Sequence, residues 1–347
     1  MRIVIVTVQA PYISGGAEVL ADSLQSRLRG RGYSVEVVRI PFKWYPPDAI
    51  LRHMLACRLI DLPRDRIDLA ICLKFPAYMV PFPNKKLWLL HQFRQVYELW
   101  GSPFQELPDT PEGARVRDAI IGADNQFLRE ATAIYTNSQI VARRLKTYNG
   151  IDATEVLYPP LPNAELFSCV EYGDFFFYPS RITSTKRQEL AIEAMRLVKS
   201  DFKLVLAGNP DAEAYGRDLK ERIQRYGLQD RIKWLGWITD DEKAHLMARA
   251  FAALYLPYDE DSYGYVTLEA FQSHKPVITL SDSGGTEELI EHGLNGLVAD
   301  PTADSLAEHM ESLWSAKSRT RELGENAFQS LSTRGIAWEH VLDRLIA

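Results

Sequence analysis

Residues 158–163 read Tyr-Pro-Pro-Leu-Pro-Asn, three prolines in six positions. Each proline removes a backbone donor and disfavours helix in the residue before it, so this stretch reads as a linker. Strand-like and helical runs alternate on both sides of it. On the amino side, residues 2–8 (RIVIVTV) form a continuous apolar strand, followed by the glycine turn Ser14-Gly15-Gly16 and a helical run to about Arg29. Gly30 and Gly32 stop that run, and 33–40 reads as the next strand. Continuous apolar strands joined by a helix suit a parallel sheet covered on both faces. Further strands are predicted at 69–73, 87–91 and 133–137, and Ser138 is placed to cap a helix over 139–148. On the carboxyl side the alternation restarts. Strands are predicted at 174–179, 202–207, 231–235, 252–256 and 276–280, and helices at 187–199, 214–226, 240–249 and 265–273. The fold class is therefore α/β, with two Rossmann-like doubly wound domains facing across a cleft. The expected divisions are 1–160, 161–332 and a terminal helix in 333–347, where Trp338, Val341, Leu342 and Leu345 share one helical face.

Composition narrows the function. The 347 residues carry 40 Lys plus Arg against 46 Asp plus Glu, a net charge of −6. That argues against a nucleic-acid partner bound by broad phosphate neutralisation. Apolar residues make up 46% and charged residues 25%, ordinary globular usage that allows a large core. No apolar run approaches the roughly 18–20 residues that span a bilayer, and the amino terminus reads as a strand rather than a signal peptide. Three widely spaced cysteines (Cys57, Cys72, Cys169) point to a reducing, cytoplasmic location. The seven histidines show no paired metal spacing, so a structural zinc site has little support.

The most informative chemistry lies in 257–288, PYDEDSYGYVTLEAFQSHKPVITLSDSGGTEE. A strand ends near Leu256, a polar loop follows, and a helix opens near Gly264 and Tyr265. Free amides and the positive dipole end of such a helix suit a phosphate. Glu269, early in that helix, can accept both hydroxyls of a ribose, and Asp261 at the loop mouth can accept sugar hydroxyls. Arg181 and Lys186, five residues apart across a βα turn, can converge on a diphosphate. The loop Gly15-Gly16-Ala17-Glu18 lacks the full dinucleotide fingerprint. His91 closes an apolar strand.

These residues, taken in order, resemble the retaining, nucleotide-sugar-dependent glycosyltransferases of family 4, which have the GT-B fold. The resemblance runs over nearly the whole chain. The family's paired acids framing an aromatic-glycine step match Asp261-Ser-Tyr263-Gly264 through Leu268-Glu269-Ala270, followed by Lys275-Pro276-Val277-Ile278 and Gly284-Gly285-Thr286. The family's Arg-x4-Lys pair falls on Arg181 and Lys186, its glycine loop on Gly15, Gly16 and Glu18, and its histidine on His91. One departure is that the first acid is aspartate rather than glutamate, with Glu260 adjacent but one residue out of register. The resemblance implies transfer from a nucleoside-diphosphate sugar, of GDP-mannose or UDP-hexose type, with retention at the anomeric carbon and without a cofactor or metal. It implies catalytic roles for Arg181, Lys186, Asp261 and His91. Donor contacts would come from Gly16, Gly264, Tyr265, Val266, Glu269, Gly236, Trp237 and Ile238. Gly15 and Glu18 fall on the acceptor side, where a saccharide, lipid-linked or small-molecule acceptor of cell-surface synthesis is expected.

Other readings of the same residues stand beside this one. Asp259-Glu260-Asp261 is an Asp-x-Asp, the metal motif of the other main glycosyltransferase fold. A nucleotide-sugar epimerase and a non-catalytic nucleotide-sugar-binding subunit share the architecture. In 41–58, Trp44 and Tyr45 interleave with Lys43, Arg52 and Arg58, a pattern suited to peripheral contact with the inner face of a membrane.

Overall fold

The computed structural model describes residues 1–12, 15–260 and 262–347. The chain divides into two compact units, Met1–Pro162 with Ala337–Ala347, and Asn163–Ile336. The first crossing thus falls inside the proline segment. The return at Ile336 leaves residues 333–336 with the second unit.

Unit 1 holds a six-stranded parallel sheet. Its strands are β1 (Arg2–Gln9), β2 (Ser34–Pro41), β3 (Leu69–Cys72), β4 (Lys85–Leu89), β5 (Ala133–Thr136) and β6 (Glu155–Val156), in spatial order β2-β1-β3-β4-β5-β6. Alternate residues of β1 serve opposite cores, as strand periodicity requires. Ile3 and Ile5 pack with Leu20, Leu24 and Leu28 of α1 (Gly16–Gly30) and with Val341 and Leu345 of α11 (Trp338–Ile346). Val4, Val6 and Val8 pack with Ile50 and Met54 of α2 (Pro47–Arg58), Val116 and Ile120 of α3 (Pro111–Phe127), and Leu145 of α4 (Gln139–Asn149). The terminal helix is anchored by Trp338, edge-on to the buried Trp88 at 6.3 Å. Ser138 caps α4 by accepting from the Val141 amide at 3.1 Å, and Gly150, in the left-handed region, ends it.

One local expectation shifts. The fourth strand runs from Lys85 to Leu89, two residues earlier than its apolar run suggests, so His91 lies in the loop beyond it. Charge at Lys85 hides the strand start. The side chain is wholly buried, and its ammonium reaches Tyr78 O at 2.8 Å, Val80 O at 3.1 Å and Glu130 at 3.2 Å. Residues 47–58 form α2, and Trp44 and Tyr45 are exposed just before it.

Unit 2 holds a second parallel sheet of β7 (Phe175–Pro179), β8 (Lys203–Ala207), β9 (Ile232–Trp234), β10 (Ala252–Leu254), β11 (Val277–Leu280) and β12 (Gly296–Ala299). Its spatial order is β12-β11-β10-β7-β8-β9. Counted within the unit, that is the 3-2-1-4-5-6 order of dinucleotide-binding sheets, with the reversal between β7 and β10. The helices are α5 (Gln188–Leu197), α6 (Glu213–Arg225), α7 (Asp240–Arg249), α8 (Gly264–Gln272), α9 (Ala303–Ser315) and α10 (Lys317–Thr333). An aromatic core anchors the sheet: Phe176 meets Phe202 at 4.7 Å and Phe251 at 5.6 Å, and Trp314 closes over Phe251 at 4.9 Å. Among the described residues no helix is long and apolar enough to cross a membrane.

Candidate active site

Ligands of open α/β sheets bind outside the carboxyl ends of the strands, where the strand order reverses. In unit 2 that point lies between β7 and β10. Past the end of β7, a single 3-10 turn (Ser184–Lys186) precedes α5. The helix expected from 187 begins at Gln188, because Arg187 leaves the helical path at φ 55°. Its guanidinium fastens three loops: it donates to Leu256 O at 2.8 Å, to Pro257 O at 2.6 Å, and to both carboxylate oxygens of Asp282 at 2.7 Å.

Lys186 is buried. Its ammonium donates to the Tyr255 hydroxyl at 3.0 Å and forms an ion pair with Glu260. Burial pulls this lysine's pKa down, but Glu260 and Tyr255 more than offset it, so the group sits above the ordinary lysine value. The buried Tyr178 hydroxyl holds the turn in place, donating to Lys186 O and accepting from the Leu256 amide at 3.1 Å. Arg181 is exposed and pairs with Asp211 at 3.2 Å. A solvated pair of this kind is weak, so the guanidinium is available to a stronger anion. Burial raises the Tyr255 hydroxyl, and Lys186 and Arg181 pull it back.

The loop after β10 is set by close backbone packing. Glu260 N donates to Ser283 O at 3.1 Å, and Gly285 N donates to Glu260 O at 2.8 Å. A Cβ at Gly284 or Gly285 would lie 2.6 Å from the backbone of Glu260 or Ser262, so both glycines serve loop-to-loop contact. Gly264 opens α8 at φ 68°, and a Cβ there would meet the Tyr255 ring at 2.5 Å. The first-turn amides, including Tyr265 and Val266, have no partner within the helix. Asp261 lies outside the described residues, as does Ser14.

Glu269 is buried in α8. One carboxylate oxygen takes Lys243 of α7 at 2.6 Å, while Oε2 is buried with no hydrogen-bond partner among the described residues. The buried Tyr265 hydroxyl is likewise unpartnered. Burial raises the Glu269 pKa, with Lys243 pulling it back. A buried acceptor left unmatched is costly, and a ligand hydroxyl would match it. Gly236, at φ 73°, turns the chain past β9 so that Trp237 stands exposed, with its amide donating to Asn209 Oδ1 at 3.1 Å and Ile238 following, half-buried. Lys186, Gly264, Glu269 and Trp237 therefore all lie at the carboxyl edge of one sheet.

In unit 1, β1 leads to Gly15, which caps α1, and to Gly16, its first residue. Glu18 accepts from the Gly15 amide at 2.9 Å and pairs with Lys74, just past β3, at 2.7 Å; both side chains are mostly buried. The strands β1 and β3 flank this sheet's own reversal. His91 donates from Nδ1 to Gln92 O at 2.7 Å, which assigns the tautomer. The Gln92 side chain donates to Asn149, which reaches Tyr97 at 3.3 Å. Tyr97 and Tyr78 both donate to the fully buried Asp124, at 2.8 and 2.6 Å. Burial pushes the Asp124 carboxyl up to about 7, against the pull of those two hydroxyls.

Sequence reading gave no role to Lys243, Glu260, Tyr255, Lys74 or Arg187; the first four pair at long range with Glu269, Lys186 and Glu18, and Arg187 pairs with Asp282. Among the described residues no three His, Cys, Asp or Glu side chains gather in a metal-binding group.

Residues 170–330 match the family model described as glycosyl transferases group 1. The human alpha-1,3/1,6-mannosyltransferase ALG2 is 30% identical over 208 residues, covering 52% of this chain and 49% of that protein. The chain spans about half the length of that curated relative. Sucrose-phosphate synthase from Thermosynechococcus elongatus superposes with a TM-score of 0.81 at 18% identity, over 99% of this chain and 97% of that one. Anabaena HepE, solved in complex with UDP-glucose, gives a TM-score of 0.75 at 18% identity, over 100% and 98%. Likeness at that identity establishes the fold, a two-domain α/β GT-B fold.

Proposed function

We propose that this chain is a glycosyltransferase that takes a sugar from a nucleoside-diphosphate donor held by unit 2. The observation that carries the reading is the buried Lys186 at the strand-order reversal, set against the loop that opens α8. The group 1 match over this unit supports it, as does the UDP-glucose bound by the similarly folded HepE.

In this reading Lys186 and Arg181 neutralise the diphosphate as the anomeric C–O bond breaks. Charge that develops in the transition state is met by cations already in position, and that is what lowers the barrier. The Gly264, Tyr265 and Val266 amides add the helix end to the same charge. Glu269 accepts the ribose hydroxyls with its unmatched oxygen. Gly236, Trp237 and Ile238 border the base, and Gly16 admits the donor to unit 1. Asp261 and His91 orient the transferred sugar. The acceptor, a saccharide or lipid-linked hydroxyl, rests against unit 1 beside Gly15 and Glu18.

Family 4 membership, retention at the anomeric carbon, a GDP-mannose or UDP-hexose donor, a metal-independent reaction and a role in cell-surface synthesis complete the proposal. Peripheral membrane contact through 41–58 belongs with it, and the exposed Trp44, Tyr45 and Leu55 support that contact. Flotation with anionic liposomes at low salt tests this part. The chain should float with them, and full recovery in the bottom fraction removes it.

The function is tested by incubating the chain with labelled GDP-mannose and UDP-hexoses, with and without a panel of saccharide and prenyl-linked acceptors. Acceptor-dependent release of the nucleoside diphosphate with chelator present is expected, and the product should keep the donor's anomeric configuration. Conversion of a donor to its epimer without acceptor overturns the reading, as does the absence of turnover with every donor.

A further inference from the structure

Cys169 and Lys275 stand at the opposite edge of unit 2 from the candidate site. Cys169 is a free, exposed cysteine in the segment leading to β7. Lys275 is wholly buried and precedes β11, at the amino edge of a sheet whose carboxyl edge carries Lys186. The Lys275 amine lies 3.4 Å from the Cys169 sulfur, donates to Glu171 O, and stands 3.9 Å over the Tyr172 ring.

The pair is held in register from both sides. Val170 N and Glu171 N donate to Ala248 O at 3.0 and 3.2 Å, and Gly173 N donates to Arg249 O at 3.0 Å. The Tyr172 hydroxyl donates to His274 O, the residue before Lys275. Burial keeps Lys275 below the ordinary lysine value, against the opposing pull of Cys169 and Glu171, so its amine loses a proton more readily than an exposed lysine does. A neutral amine is a nucleophile, and an exposed thiol is open to oxidants.

We propose that Cys169 and Lys275 are a covalent modification site at which a peroxide installs a reversible sulfur–nitrogen link. In the first step the Cys169 sulfur attacks a peroxide oxygen. The O–O bond breaks, an S–O bond forms, and water leaves when the oxidant is hydrogen peroxide. Sulfur loses two electrons to the peroxide and becomes a sulfenic acid. In the second step the Lys275 nitrogen lone pair attacks that sulfur. The S–N bond forms, the S–O bond breaks, and the departing hydroxide takes a proton from nitrogen as water. Two equivalents of a small thiol reverse the link: the first cleaves S–N and returns the amine, and the second resolves the mixed disulfide.

The link closes a long loop between the start of unit 2 and the α8–β11 corner, so it restricts the unfolded chain. Peptide mapping of the intact chain after mild hydrogen peroxide treatment tests the proposal. The peptides holding Cys169 and Lys275 should be recovered joined, lighter by about 2 Da than their reduced sum, and should separate on addition of a thiol. The treated chain should melt about 5 °C higher than the reduced one. Cys169→Ser, at an exposed position, should fold normally and show neither change. Recovery of Cys169 only as sulfinic acid or an intermolecular disulfide, with Lys275 unmodified, overturns the proposal. So does a joined pair that has gained oxygen.

Discussion

Lys243 of α7 lies 2.6 Å from Oε1 of Glu269 in α8, and the other oxygen of that carboxylate is buried without a partner among the described residues. The lysine fixes the carboxylate's orientation and leaves one acceptor unmatched. The proposed function gives that acceptor to the ribose.

Replacing Glu269 by Ala should therefore weaken nucleoside diphosphate binding by about 10- to 100-fold, the range for a hydrogen bond to a charged group. The wild type should also discriminate against the 2′-deoxy and 3′-deoxy nucleotides, and the variant should not. Titration calorimetry with the three ligands checks both. Equal discrimination in the two proteins would move the ribose elsewhere.

Glu260 pairs with Lys186, and the expected acid of the sequence motif stands one residue later. Lys186 owes its raised pKa to Glu260 and Tyr255, working against burial. The protonated form that binds diphosphate persists until pH rises through that pKa. Glu260→Gln removes the larger of the two supports, so the alkaline limb of donor binding should move to lower pH. Nucleotide affinity measured from about pH 8 to about pH 12, across the raised lysine range, reads the shift. Superimposable profiles would detach Glu260 from Lys186.

Gly264→Ala would place a Cβ against the Tyr255 ring in a left-handed conformation. About 1–3 kcal/mol of stability should be lost. Movement of Tyr255 also displaces a partner of Lys186, so donor turnover should fall more than the unfolding midpoint suggests. Urea melts and donor turnover on the same preparation separate the two effects.

Asp124 makes the stability of unit 1 depend on pH. Its carboxyl is raised to about 7 in the fold, against the ordinary 3.8. A group raised by folding contributes fully at pH below its unfolded value and is lost as pH climbs through the folded one. From pH 4 to pH 9 the contribution should fall by up to about 4 kcal/mol. Asp124→Asn should flatten that slope in urea melts taken across the range. Parallel curves for the two proteins would show that Asp124 does not titrate between those limits.

The alternation of apolar strands with helices, the proline segment and the order of the glycine and acid motifs were legible because each is a local pattern. Periodicity placed β1 and the capping serine placed α4. Charge at Lys85 hid the true start of β4, since a buried lysine reads as a surface residue. The partners of the site were not legible at all. Lys243 meets Glu269 across 26 residues and Lys186 meets Glu260 across 74. Pairings of that range are made by sheet topology and leave no spacing to read. The Gly284-Gly285 turn carried a signal, but one for loop packing against Glu260 and Ser262.

The central claim is that unit 2 binds a nucleoside diphosphate through Lys186. Titration calorimetry of UDP and GDP, with chelator present, into the wild type and Lys186→Ala tests it most directly. One of the two nucleotides should bind the wild type with micromolar affinity, and the variant should lose at least about tenfold, as expected for a buried cation facing phosphate. Absence of binding by either nucleotide, or equal affinity in a folded Lys186→Ala protein, would contradict the account.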